Sequence, residues 1–342
     1  MSYTRLDPTD FVVSSDAVVS PAWSTNLPTL TKFVTASIGT SSFYLDVYND
    51  VVGNSNSAVQ FSIAYGHKLG SGSAPFNVLV PNTTPTRVNY EQYRALVYGD
   101  ASNYFNFGYQ NTQSLDVIVL NVDRNRYKES LFPGTFNLLL GDGTNLLQLT
   151  DNSNDVTTVT YLDCGRAYDV ISGSNGTAIN SPARTGIAKG YTASGSYGLF
   201  LPDVGLIVLN PRALSLIPAD GGLNFRATLS TSANAKANES ASYNFISASN
   251  ARSFQLNAKE TISSDYVFVR IKNAEYNYST NPSFTSGSGD LVYSNFIYSP
   301  QTYITTVGMY NDNNELLAVA KLSKPLVKDF TKEMLIRVRL DW

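Results

Sequence analysis

The chain has very little of the side-chain chemistry on which most enzymes and metal proteins depend. Its 342 residues include one cysteine, Cys164, and one histidine, His67. A single cysteine excludes an intrachain disulfide, and a single histidine excludes a histidine-rich metal site. The two residues could act together only as one nucleophile–base pair, and no catalytic motif surrounds either of them. We therefore interpret Cys164 as a small buried side chain.

Charged residues are also scarce. They make up 15% of the chain, and the formal net charge is −3, whereas about 25% is typical of soluble domains. Because nucleic-acid-binding proteins carry a strongly basic surface, we do not expect nucleic acid as a partner. The densest charge cluster comprises Arg124, Arg126, Lys128 and Glu129. It is typical either of a solvated strand end or of a contact between subunits.

Long apolar runs and cofactor motifs are missing as well. No stretch approaches the ~18 consecutive apolar residues of a membrane span, and the first residues do not have the pattern of a signal peptide. Asp151, Ser153 and Asp155 alternate like calcium ligands, but the glycine and the distal glutamate of an EF-hand loop are lacking. No phosphate-binding glycine motif occurs in a strand–loop–helix context. We predict no cofactor, no metal and no enzymatic activity, and we expect synthesis in a cytoplasm.

The chain is instead rich in Ser, Thr, Asn and Tyr, with 22 tyrosines, a mixture that favours strands and turns. Asp116–Val122 contains four consecutive apolar residues, as in a strand that is buried on both faces. In 335–342, Ile336, Val338, Leu340 and Trp342 alternate with Arg337, Arg339 and Asp341. With 303–310 and 316–322, this segment predicts a closing β-meander. The best helix candidate is 84–96, where Val88, Gln92 and Leu96 share one face.

These patterns predict a mainly β protein: a multi-domain antiparallel β-sandwich or jelly-roll-like fold with few short helices. We divide the chain into an N-terminal arm plus a β-rich domain (1–110), a central β domain (111–215) and a C-terminal β domain (216–342). Prolines interrupt residues 1–32, so this arm is expected to pack over its own domain or to reach a neighbour. The polar run 230–242 is expected to be a mobile loop.

Aromatic residues are concentrated between positions 90 and 109. Within this segment Tyr104, Phe105, Phe107 and Tyr109 are interleaved with Asn and Gly. Tyrosine has an apolar ring and a polar hydroxyl, and it is enriched at protein–protein interfaces. Packing in the chain's own core is an equally good explanation of the same pattern.

Several segments resemble virion structural proteins of large contractile-tailed bacteriophages, especially those of the cyanophage type. They are 105–108, 117–122, 125–129, 131–138, 149–153, 303–311 and 316–322. The resemblance implies a virion component of the baseplate or tail. Because the matching motifs are structural, it implies no catalytic residue.

From the residues and the resemblance together we predict a structural subunit of a phage virion that assembles through permanent protein–protein interfaces. Its partners would be other virion structural proteins, and copies of itself are a further option, with no membrane span and no small-molecule substrate. A capsid decoration protein and a β-sandwich module that binds a host receptor or a glycan remain alternatives. The hypothetical interface residues are Trp23, Tyr104, Phe105, Phe107, Tyr109, Arg124, Arg126, Arg337 and Arg339.

Overall fold

The structure is a computed structural model that describes residues 4–35, 44–73, 79, 84–108, 113–179, 186–225, 237–248, 253–279 and 281–341. Strands account for 43% and helices for 15% of it. Large antiparallel sheets dominate, and the described residues form only four α-helices. The predicted mainly β class with few short helices is therefore confirmed.

The strands and helices alternate irregularly along the chain. The first strands are β1 (Phe11–Pro21), β2 (Thr29–Leu30), β3 (Val34–Thr35), β4 (Leu45–Tyr48), β5 (Val59–His67), β6 (Phe105–Asn106), β7 (Gln113–Ser114), β8 (Asp116–Val122), β9 (Ser130–Leu131), β10 (Asn137–Gly141) and β11 (Leu146–Asp151). The remaining strands are β12 (Thr160–Leu162), β13 (Gly165–Ser174), β14 (Thr177–Ala178), β15 (Gly198–Leu201), β16 (Leu206–Leu209), β17 (Phe254–Gln255), β18 (Asn257–Ile271), β19 (Thr302–Tyr310), β20 (Leu316–Lys328) and β21 (Met334–Asp341). The α-helices are α1 (Pro85–Tyr98), α2 (Pro211–Leu214), α3 (Ala237–Ser247) and α4 (Ser294–Tyr298).

The chain forms two compact units. Unit 1 consists of 1–17 and 261–342, and unit 2 consists of 18–260. The three-domain division predicted from the sequence has its boundaries elsewhere, at 110/111 and 215/216. As a division into independently folding domains it stays a prediction.

Unit 2 is built on one large antiparallel sheet. Its main strand order is β2-β17-β10-β11-β13-β15-β16-β8-β5-β4-β3. The sheet curls, because Phe61 of β5 and Phe254 of β17, near its opposite ends, have ring centres only 5.3 Å apart. Trp23 joins them, with its ring centre 4.9 Å from that of Phe254. The curled sheet therefore encloses an aromatic core, and Phe245 and Ile246 of α3 also belong to it.

The outer face of this sheet is covered by α1. Tyr90 and Val97 of the helix are buried against Ala64, Val117 and Val119 of the sheet. The predicted helix is confirmed, and the face that carries Val88 and Leu96 is exposed. The residues that face the sheet are instead Thr86, Asn89, Tyr90, Arg94 and Val97.

Unit 1 contains a sheet of the order β1-β18-β21 and a separate hairpin of β19 and β20. The predicted meander is therefore wrong, since β21 pairs with β18 and not with β20. The pairs Val267–Val338 and Val269–Ile336 bring four apolar side chains to one face, which explains the choice of partner. The alternation predicted for β21 is confirmed at Ile336 and Val338, which are buried. Trp342 lies outside the described residues.

The structure also describes most of the predicted N-terminal arm and part of the predicted mobile loop. The proline-interrupted N-terminal segment contains β1, an 11-residue strand that Pro21 ends and that pairs with β18. After it, the Trp23 Nε1 donates a hydrogen bond to the carbonyl oxygen of Phe254 at 2.7 Å, so this part packs on its own unit. In the predicted loop 230–242, residues 237–242 belong to α3. The preceding 230–236 lie outside the described residues.

Candidate functional site

The first candidate site is the surface of unit 1, which has a very small apolar core. Among its described residues, the buried hydrophobic side chains are Val267, Ile271, Ile336 and Val338. Yet unit 1 holds more than half of the exposed large hydrophobic residues of the described chain, although it is much the smaller unit. Small cores of this kind supply little stability on their own.

The hairpin β19–β20 contributes about a third of these exposed residues. Ile304, Val307 and Met309 on one face pack partly against the small core. The other face points to solvent and carries Leu317 and Val319, whose relative exposures are 68% and 56%. A two-stranded hairpin is at best marginally stable in water, so a hairpin with an apolar outer face is a natural contact surface.

The ring of Tyr310 adds to the apolar surface of this outer face. A Cβ placed on Gly308 would lie 3.0 Å from the Tyr310 Cε2, which shows that the tyrosine ring covers the glycine. Leu316 lies opposite Tyr310 across the hairpin and is exposed. The ring and the leucine extend the apolar surface toward the Asn311–Asn314 turn.

Strand β1 adds a second exposed apolar element. It is an edge strand, and its side chains Phe11, Val12 and Val13 are all exposed. Proteins usually protect long edge strands with charges, prolines or covering segments. Asp16 is the only charged residue in β1, so this edge has little protection of that kind.

The β18–β21 pair buries Val267, Ile336 and Val338 on one face, and its other face carries polar side chains. Arg337 and Arg339 flank Tyr266, with guanidinium carbons 5.5 Å and 5.7 Å from the ring centre. The Arg339 Nε also donates to Asp341 at 2.6 Å, and this contact raises the pKa of the arginine. Ser264 donates to the same carboxylate. The two arginines predicted as interface residues thus lie together on an exposed, internally paired face.

Several other predicted interface residues belong to the core of unit 2. Trp23, Phe105 and Phe107 are at most 2% exposed. They therefore contribute to packing inside the unit and offer no surface in this conformation. Tyr104 is half-buried, and the Lys68 Nζ lies 3.3 Å from the centre of its ring. Tyr109 lies outside the described residues.

The second candidate site is an open cavity of about 350 Å³ in unit 2. Arg126, one of the predicted interface residues, lines the cavity. Arg124, another predicted interface residue, lies nearby in the chain. The polar lining of the cavity includes Ser20, Ser24, Asn26, Asn125, Arg126, Lys128, Lys259 and Glu260. The Lys128 Nζ and the Glu260 Oε2 form an ion pair at 2.8 Å. Arg124 turns to Tyr127, with its guanidinium carbon 4.4 Å from the ring centre.

The residues with possible nucleophilic or metal-binding chemistry have structural roles. Cys164 is half-buried beside the outer core of unit 2, and burial raises the pKa of its thiol. The His67 Nδ1 accepts hydrogen bonds from the backbone N–H groups of Leu69 and Ser71. Asp151, the first residue of the calcium-like run, is buried, and its carboxylate accepts from the Gly134 N–H. It braces the turn at Pro133 and Gly134.

A half-buried polar cluster lies beside it in the large sheet. The Tyr191 hydroxyl donates to the Asp169 Oδ2 at 2.8 Å, and the Asn152 side-chain amide donates to the same hydroxyl. Burial raises the pKa of both Asp169 and Tyr191. Because each group has a partner, this cluster fixes the strands relative to one another.

Within the described ranges, no group of three or more His, Cys, Asp or Glu side chains could hold a metal ion. In the same part of the chain, no helix combines the length and the apolar character that crossing a bilayer requires. Comparisons with family models, with curated proteins and with solved structures find no match for the chain.

Proposed function

We propose that the chain is a structural subunit of a phage virion, a baseplate or tail component that assembles through permanent protein–protein interfaces. The observation that carries the proposal is the imbalance in unit 1, whose described residues include four buried hydrophobic side chains and a large exposed apolar surface. Permanent interfaces are more apolar than transient ones and resemble a protein core divided between two chains. Unit 1 has the composition of one half of such a core.

The hairpin β19–β20 and strand β1 supply the contact surface in this proposal. Both present apolar side chains, and both have backbone groups at a sheet edge, which a strand of another protein can pair with. The partner is a second virion structural protein with an apolar surface and a free strand. The resemblance to contractile-tailed phage proteins supports this setting.

The alternatives make different demands on the surface. A host-receptor or glycan-binding module would bind through exposed aromatic platforms. Trp23 is buried, whereas Tyr298 and Tyr303 are exposed, so binding of host envelope by the isolated chain would favour this alternative. A capsid decoration protein would have the same type of apolar interface and a different location. Cross-linking to capsid proteins instead of tail proteins would favour it.

A double substitution on the outer face of the hairpin tests the proposal. We expect Leu317→Lys with Val319→Lys to leave the folded free chain within about 0.5 kcal/mol of wild type, because both side chains are exposed. The same change should prevent incorporation into particles, since it buries two charges in an apolar interface. The readout is the amount of the chain in purified virions.

The matched control is Leu146→Lys, which changes an exposed leucine in a hairpin of unit 2. This variant should be incorporated normally. Normal incorporation of the double variant, or equal loss with the control, would show that the hairpin is not an assembly surface.

A further inference from the structure

The open cavity of unit 2 has an excess of positive charge that the described residues do not neutralise. Its charged lining residues are Arg126, Lys128, Lys259 and Glu260. Glu260 forms an ion pair with Lys128, so its carboxylate neutralises that lysine and not Arg126 or Lys259. The other two cations have no ion pair within the described residues. This local excess stands out in a chain whose net charge is −3.

Arg126 is the more informative of the two cations. Its guanidinium makes no hydrogen bond within the described structure, and its Nε is buried without an acceptor. A buried donor without a partner destabilises the fold. The remaining N–H groups of the guanidinium also have no acceptor within the described residues, and they form a fork that matches the carboxylate or phosphate oxygens of an anion in the cavity.

The second cation, Lys259, lies on β18, whereas Arg126 follows β8 in the chain. The Lys259 Nζ lies 5.5 Å from the centre of the Phe132 ring. The strand pair β9–β18 places Lys259 opposite Ser130, close in sequence to Arg126. Two different elements thus supply cations to one cavity, as expected of a site that holds a compact anion.

The size and the remaining lining indicate more than a bare ion. A volume of about 350 Å³ lies in the range of small-molecule sites and exceeds that of a single phosphate group. Asn26 and Asn125 add amide donors and acceptors, which suit hydroxyl groups. The aromatic residues of the lining, Trp23 and Tyr127, are buried and provide no exposed ring on which a neutral sugar could stack.

We propose that this cavity binds a small hydroxylated anion, a molecule of monosaccharide size that carries a carboxylate or a phosphate group. Arg126 and Lys259 bind the anionic group, and Asn26 and Asn125 bind the hydroxyl groups. This site is independent of the apolar surface of unit 1, so its test does not depend on the assembly proposal.

Titration calorimetry with the purified full chain tests the site. The probes are glucuronate, glucose 6-phosphate, inorganic phosphate and neutral glucose. We expect the two sugar anions to bind more tightly than inorganic phosphate, and glucose to give no measurable binding. Binding should weaken as the salt concentration is raised, because ions screen the cations of an open cavity.

Three variants locate the binding. Arg126→Gln and Lys259→Gln should each weaken the binding of both sugar anions by about tenfold or more, the effect of losing a charge-assisted hydrogen bond. The matched control is Arg212→Gln, because Arg212 is exposed on α2 outside the cavity. Circular dichroism confirms that each variant is folded, and Lys259→Gln serves if Arg126→Gln does not fold.

Each other outcome contradicts the proposal. Equal affinity for inorganic phosphate and the sugar anions would show that the hydroxyl groups are not recognised. Unchanged affinity in both cavity variants, or equal losses in the control, would show that no anion site exists in this cavity. The absence of binding by either sugar anion would do the same.

Discussion

The backbone of Tyr90 lies directly against Gly66, so closely that a Cβ on the glycine would be 2.9 Å from the Tyr90 Cα. This contact seats α1 on β5. The Tyr90 hydroxyl then donates to the Ser114 carbonyl oxygen at 2.7 Å, and burial raises the pKa of that hydroxyl to about 12. The absent side chain at position 66 thus determines how the helix packs on the sheet.

Gly66→Ala should therefore destabilise unit 2. The new methyl group would meet helix backbone, which cannot move aside without shifting α1, and overpacking of this kind costs about 1–3 kcal/mol. Urea unfolding measures the loss. The control is Gly287→Ala, where nothing lies within 4 Å of the added Cβ, and its stability should stay within about 0.5 kcal/mol of wild type. Equal stabilities of the two variants would contradict the packing described for α1.

Lys328 should be essential to the fold of unit 1. Its buried Nζ donates to the Asn273 and Asp329 carbonyl oxygens and to the Asn277 Oδ1, at 2.7–2.8 Å. Lys328→Met removes the donor from all three acceptors and should cost about 3 kcal/mol. Amide hydrogen exchange in β20 should accelerate accordingly. Lys321→Met, at an exposed position of the same strand, should have little effect, and similar exchange in both variants would refute this role.

Asp169 and Asp142 should give pH dependences of opposite sign. Burial raises the folded-state pKa of Asp169, so folding favours its protonated form. The ionised carboxylate therefore weakens the fold once the pH rises from the unfolded pKa of about 3.9 through the raised folded value. Relative to wild type, Asp169→Asn should gain stability between about pH 3 and pH 7, since an amide can still accept from Tyr191.

For Asp142 the sign is reversed. Hydrogen bonds from the Asn145 backbone N–H and side-chain amide lower its pKa. The carboxylate therefore stabilises the fold above the unfolded pKa, and this contribution is lost as the pH falls through the lowered folded pKa. Asp142→Asn should lose stability relative to wild type as the pH rises. Urea unfolding at about pH 3 and pH 7 measures the stability of each variant relative to wild type. If this stability difference changed with pH in the same direction for both variants, the two pKa shifts would be contradicted.

In the free chain, the rate of amide hydrogen exchange should differ between the two units. Strands β8 and β16 lie inside a covered sheet, whereas β19 and β20 form an exposed two-stranded hairpin. Amides of the hairpin should exchange much faster than those of β8 and β16. In assembled particles we expect the hairpin to become protected. Equally fast exchange of the hairpin in particles would mean that nothing covers it.

Local patterns in the sequence predicted the strands well. Asp116–Val122 is observed with the predicted bounds, because four consecutive β-branched or leucine residues suit only a strand covered on both faces. The turn at Pro133 and Gly134 is also predictable, because Pro followed by Gly suits the two central positions of a type II turn. In the structure Gly134 has the positive φ of 85° that this turn requires.

Features that depend on tertiary contacts could not be predicted in this way. The exposed face of α1 carries Val88 and Leu96, while polar Thr86 and Asn89 are buried, because Asn89 donates to the Tyr65 carbonyl oxygen across the contact. Likewise, the local sequence pattern does not show whether β21 pairs with β18 or with β20.

The candidate sites were predicted only in part. Trp23, Phe105 and Phe107 have the composition of an interface, yet the curled sheet and α1 bury them. The sequence drew attention to Arg126, but the cavity beside it also needs Lys259, 133 residues later in the numbering. The one available signal was the charge cluster at 124–129, and long-range pairing of β9 with β18 completes the site.

The position of the chain in assembled particles tests the central claim most directly. Gold-labelled antibodies against the purified chain can be imaged on intact virions and on isolated tails by electron microscopy. The assembly proposal predicts label on the tail or baseplate, in a fixed pattern on every particle. Label on the capsid shell, or particles that contain none of the chain, would contradict it.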